Sequence, residues 1–226
     1  MLAILSAGIA PTFALMSFIY LKDRFTEPFS LILKTFILGA LLVFPIMFIQ
    51  YAISIENIVN DNNFIQSFLV VGFIEEFFKW FIFMYVIYHH TEFDAHYDGI
   101  VYAVSISLGF ATVENFLYLL TNGIEYAFSR ALFPVSSHAL FGVIMGFHFG
   151  KAKVNSNYKK WNIVLALIIP LSLHGSYNFI LKSITSNWLT LLVPFMIALW
   201  IIGLRRVKSA NKPIVEDVIQ KRKLRA

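Results

Sequence analysis

Apolar residues run along this chain in long blocks, and short polar stretches separate them. Seven blocks stand out, at about 2–20, 31–53, 65–88, 99–121, 131–149, 162–182 and 187–204. At ~1.5 Å of rise per helical residue, ~20 residues span the ~30 Å hydrocarbon core of a bilayer. Blocks that are apolar on every face predict buried or lipid-facing helices rather than amphipathic surface ones. The pattern therefore predicts an all-α, polytopic membrane bundle of about seven transmembrane helices. Residues 1–204 read as a single transmembrane domain and 205–226 as a basic tail. The first block lacks a positively charged leading segment and a clear cleavage site, so it is expected to be retained, bent near Pro11.

Composition agrees with this reading. Of 226 residues, 58% are apolar and 14% charged, against roughly 25% charged in soluble domains. The chain has no cysteine, which excludes a disulfide framework, a thiolate nucleophile and a cysteine metal site. The net charge of +5 is not a nucleic-acid signature, because the basic residues sit beside the apolar blocks. The lipid bilayer and its anionic headgroups explain them better.

Orientation follows from where those cations fall. Lys151, Lys153, Lys159 and Lys160 occupy the 150–161 loop, and Arg205, Arg206, Lys208 and Lys212 open the tail. Both segments are expected to be cytoplasmic, as is 21–30 with Lys22 and Arg24. The 54–64 loop, with Glu56 and Asp61 and no cation, is expected outside. The N-terminus is then outside and the C-terminus inside.

On that map the polar residues inside the blocks gather at one depth. Glu75, Glu76, Glu114, Asn115, His138, His174 and Asn178 come from four blocks, and helical rise places them ~10–15 Å below the outer surface. A charge at that depth costs from ~3 to more than ~10 kcal/mol, so it persists with partners or for function. Lys79 lies i,i+4 from Glu75 and i,i+3 from Glu76, and can neutralise one of them. The other is a candidate general base on a water; the plain alternative is an ion pair that fixes helix packing. His174 and Asn178 share a helix face and can both donate to an oxyanion. Phe110–Asn115, FATVEN, could also serve as a polar bridge between helices, and His138 as a satisfied interior residue. His148, His89, His90 and His96 read as interfacial. The Gly142, Gly146, Gly150 stripe reads as close helix packing.

No HExxH, GxSxG or paired intramembrane Asp motif is present. Zinc on Glu75, His138 and His174 is an alternative, but no ligand pair has metal-site spacing, so no cofactor is expected. A proton- or cation-coupled transporter could use the same Glu and His groups, although no inverted halves are visible.

The stretches AGIAP, PIMFIQY, EEFFK, HYDGIVYAVSISLGFATVEN, HALFGVIMGF and HGSYNFIL resemble the PrsW family of intramembrane proteases across essentially the whole chain. The resemblance implies a multi-pass enzyme of the bacterial plasma membrane. It implies the first, site-1 cut of a single-pass anti-sigma factor, RsiW in the best-known case, during envelope stress. More remotely the pattern is similar to the CAAX-prenyl endopeptidase (Abi) superfamily, with motifs EExxxR, FxxxH and HxxxN. Here the first is Glu75-Glu76-x-x-Lys79, one residue shorter and with Lys for Arg; the second is Phe110-x3-Glu114, with Glu for His; the third is His174-x3-Asn178. Carried over residue by residue, Glu75 would be the general base, Glu114 would orient the water, and His174 and Asn178 would form the oxyanion hole. Glu76 and His138 belong to the same site without an assigned role.

Overall fold

The computed structural model describes residues 1–212 apart from 57, 58, 60, 61 and 185. Asp61 and the part of the predicted tail after Lys212 lie outside the described residues. Among the described residues there is no β-strand; the chain runs as seven helical segments. They are α1 (Leu2–Leu21), α2 (Phe29–Ile55), α3 (63–87), α4 (His96–Asn122), α5 (Ile124–Val154), α6 (Lys159–Ser183) and α7 (Leu189–Ala210). All but α3 are long and apolar enough to cross a membrane. α3 alternates α and π turns and carries Glu75, Glu76 and Lys79. α7 continues through 205–210, so the first residues of the basic segment prolong the last helix.

The ends sort into two layers. Asn211 donates to the carbonyl of Lys22, Tyr97 to Ile19 at 2.9 Å, and Lys153 to Tyr88 at 3.3 Å. These contacts gather the 22–28 and 88–95 turns, the end of α5 and the end of α7 at one end of the bundle. At the other end Asn63 reaches the carbonyl of Lys182 at 3.5 Å, and Phe133 meets Trp188 edge-on at 6.1 Å. Seven helical segments running in alternating directions produce this sorting.

α4 and α5 form the centre. Residues 97–111 and 135–150 are buried without interruption, which explains why neither helix shows an amphipathic stripe. Their axes approach closely because glycines face each other: a methyl on Gly146 would stand 2.1 Å from the carbonyl oxygen of Gly99. α2 approaches the other side of α4 in the same way, where a methyl on Gly109 would stand 2.0 Å from the carbonyl oxygen of Phe36. In membranes such small-residue contacts replace the hydrophobic driving force between helices. α1 and α2 pack on α4, α6 and α7 on α5, and α3 on α6. Buried Glu27, in the 22–28 turn, accepts from Tyr102. Burial pushes the Glu27 carboxyl up to about 8.

Candidate active site

The Glu-Glu-Lys sequence comes directly after a π-helical stretch, Gln66–Phe73. A π turn adds a residue per turn and re-aims the side chains C-terminal to it, which is why such turns recur at functional sites. Gly72 lets this stretch lie against α6, since a methyl there would stand 3.1 Å from the backbone nitrogen of Gly175. Glu75, Glu76 and Lys79 then all turn inward and are buried.

Lys79 has no exposed surface. Its ammonium donates to Glu76 Oε1 at 2.8 Å and to His138 Nδ1 at 3.1 Å. It stands 3.7 Å from Glu75 Oε2 and 4.4 Å from the centre of the Phe110 ring. His174 Nδ1 lies 2.9 Å from Glu76 Oε1, and His138 Nε2 lies 2.9 Å from Glu114 Oε2. Ionised carboxylates only accept, so the nitrogens facing them carry the protons. That leaves His138 Nδ1 to accept from Lys79; His174 Nε2 makes no hydrogen bond and stands 3.9 Å from Glu75 Oε2.

The two glutamates thus part company. Glu76 is fully enclosed; its Oε1 is bonded to both Lys79 and His174, and its Oε2 has, among the described residues, no hydrogen-bond partner and no cavity beside it. Glu75 takes one hydrogen bond, from Gln50 to Oε1 at 3.3 Å, while its buried Oε2 has no hydrogen-bond partner. Glu75 lines a cavity of about 120 Å3 together with Glu114, Arg130, His138, His174, Tyr177 and Asn178; Glu76 does not line it. The Asn178 amide donates to the His174 carbonyl at 3.3 Å, which uses one of its two protons.

Every site residue expected from sequence therefore lies in or directly behind one cavity. Three contributors were not anticipated. Arg130 is buried and binds Glu114 at 3.1 Å and Asn115 at 2.9 Å; in sequence it falls one residue before the fifth apolar block, where it reads as an interfacial cation. Gln50 is a lone amide in PIMFIQY, and an uncharged polar group within a span was the one signal it offered. Tyr177 gave none, being one aromatic among many. His148 is corrected: it is buried, with Nδ1 3.2 Å from Asn162 Oδ1, rather than interfacial.

Residues 27–203 match the family described as PrsW family intramembrane metalloprotease. The chain belongs to the PrsW family. A PrsW protease of Oceanobacillus iheyensis is 66% identical over 212 residues, 94% of this chain and 98% of the relative. That of Bacillus subtilis is 56% identical over 214 residues, 93% of this chain and 97% of the relative. That of Clostridioides difficile is 31% identical over 212 residues, 89% of each. No solved structure matches. The chain is accordingly a multi-pass bacterial membrane protein and a peptidase, which sets the transporter reading aside.

The PrsW description implies a metal, and the donor set can be tested for one. Glu75, Glu76, His138 and His174 each bring a ligand atom to within 4.8 Å of the others. A catalytic zinc takes three protein ligands. Here the Lys79 ammonium already faces Glu76 Oε1, His138 Nδ1 and Glu75 Oε2, at 2.8, 3.1 and 3.7 Å. Glu75 Oε2 and Glu76 Oε2 take no hydrogen bond, but a divalent cation among these ligands would meet the Lys79 ammonium within 4 Å of three of them, and like charges at that distance repel. With Lys79 in this position the residues do not fit a metal ion.

Proposed function

We propose that this chain hydrolyses a peptide bond of a membrane-anchored anti-sigma factor with a water activated at Glu75. The observation that carries the reading is the buried Oε2 of Glu75 on the cavity wall, which takes no hydrogen bond and has the Lys79 ammonium no nearer than 3.7 Å. The water donates one hydrogen bond to that oxygen and the other to Nε2 of His174. Glu75 takes a proton as the water oxygen bonds to the scissile carbonyl carbon. The oxyanion so formed receives the second amide proton of Asn178. Glu75 then passes its proton to the amide nitrogen as the C–N bond breaks. Glu76 fixes the tautomer of His174, and Lys79 keeps Glu76 ionised. Glu114, held by Arg130, fixes His138, so its part is positional: as a carboxylate it donates nothing to the substrate.

The substrate class rests on helix geometry as well as on family. A peptide bond must leave its helix to meet a nucleophile, which is easier near a membrane boundary than at the midplane. The cavity lies toward the end of the bundle where α6 finishes at Ser183 and α7 begins at Leu189, and loop charges assign that end to the outside. The reading therefore is a site-1 cut of an RsiW-like single-pass protein on its extracytoplasmic side. Purified enzyme incubated with such a substrate in detergent, and mass mapping of the new C-terminus, test it. Glu75→Gln should lower cleavage by ~10²–10⁴-fold, the usual worth of a general base, with unchanged yield. Full activity of that variant removes Glu75 from the reaction; a cytoplasmic cut inverts the topology.

A further inference from the structure

A second site lies at the opposite end of the bundle, away from the catalytic cluster. α1 rests on α4 and α7 on α5, and between the ends of α1 and α7 lies a cavity of about 550 Å3. Lys22, Arg24, Lys208 and Lys212 line it, and no acidic residue does. Among the described residues none of the four forms an ion pair. The Asn211 amide, bonded to the Lys22 carbonyl, ties the two ends together and so holds like charges near each other. Such a cup is costly unless an anion occupies it.

The wall of the cup is apolar and extends into the membrane. Phe18, Leu204 and Val207 border both the cup and a shallow crevice of about 20 Å3 between α1 and α7, floored by Ala139 and Val143 of α5. Four cations at the end of the spans, continuous with an apolar rim, match one amphipathic shape: a charged head on a hydrocarbon tail. A soluble phosphate would use the cup and leave the rim exposed.

We propose that this site binds one anionic phospholipid, its phosphodiester among Lys22, Arg24, Lys208 and Lys212 and its acyl chains lying over the apolar rim of Phe18, Leu204 and Val207, outside the shallow α1–α7 crevice. The guanidinium and ammonium groups give charge-assisted hydrogen bonds to the phosphate oxygens. The inference does not depend on the proteolytic reading, since no cluster residue lines this site. The bound lipid bridges the first and last helices, which otherwise meet through the Asn211 contact.

The test is native mass spectrometry of the full-length protein in detergent, titrated with phosphatidylglycerol or phosphatidylcholine of identical chains. One phosphatidylglycerol should be retained in preference to phosphatidylcholine. Lys22→Gln with Lys208→Gln should weaken that binding roughly 30-fold, at ~5-fold per juxtamembrane cation. Arg24→Gln with Lys212→Gln removes the other two cations, and replaces the first pair if that variant does not purify as a single species. Lys151→Gln with Lys160→Gln removes equal charge elsewhere at the same end and should leave binding unchanged. Equal retention of both lipids, unaltered binding by the cup variants, or equal loss in the control would each overturn the proposal. So would glycerol phosphate binding as tightly as the lipid.

Discussion

Lys79 and Glu75 show how one residue decides the state of its neighbours. An ammonium with no exposed surface survives in hydrocarbon only when anions and acceptors surround it. Lys79 finds Glu76, His138 and, at longer range, Glu75. Arg130 performs the same service for Glu114. Two cations among three carboxylates leave Glu75 with the weakest pairing, so a free base is a consequence of the charge count. Breaking a buried pair costs ~3–5 kcal/mol, because the remaining charge is stranded. Lys79→Met should therefore reduce the yield of folded protein as well as cleavage, read by fluorescence-detected size exclusion beside the activity assay. An abundant, monodisperse and inactive Lys79→Met protein would assign Lys79 to the reaction itself.

Among the elements, α3 and the α4–α5 pair set the geometry. The π turns of α3 rotate Glu75, Glu76 and Lys79 inward, and α6 meets them through Gly72 and Gly175, where a methyl on the latter would stand 2.3 Å from the Phe68 ring. α4 delivers Glu114 and α5 delivers Arg130 and His138, so the α4–α5 spacing fixes the distance between them. Gly146→Ala places a methyl against backbone, which cannot move aside as a flexible side chain can. The helices must separate. The expected outcome is a lower melting temperature and a loss of cleavage with Glu75 and His174 untouched, since overpacking costs ~1–3 kcal/mol. Unchanged melting and cleavage would show that the α4–α5 contact has slack.

For the whole molecule the main consequence concerns charge and metal. The cluster is closed around its own cations, and the position between its ligands is held by Lys79. Cleavage by the purified enzyme should therefore persist in EDTA and in phenanthroline. Loss of activity restored by zinc would mean that Lys79 gives way and that Glu75, His138 and His174 take the ion. The helical arrangement also places the candidate active-site cavity and the basic cup at opposite ends of the bundle, so the proposed lipid site is remote from the proposed catalytic one.

The sequence by itself determined the all-helical membrane bundle and its helices, most of their boundaries closely but not the start of α5 at Ile124 or the end of α7 at Ala210, and the acids and histidines of the site. It could do so because hydrocarbon tolerates only internally bonded helices and penalises each charge. Glu75, Glu76, Lys79, Glu114, His138 and His174 were legible for that reason: each stands out against an apolar background. What only the tertiary structure decided is which acid meets which cation. Adjacency in EE gives no way to tell that Glu76 is enclosed and Glu75 faces the cavity, because that depends on a π turn upstream and on His174 arriving from α6. Arg130 and Gln50 escaped notice because a cation at a block edge and a single amide look the same whether they face lipid, water or a partner. Pairing across helices is a property of distance in the folded chain, and distance is what a one-dimensional pattern of polarity does not contain.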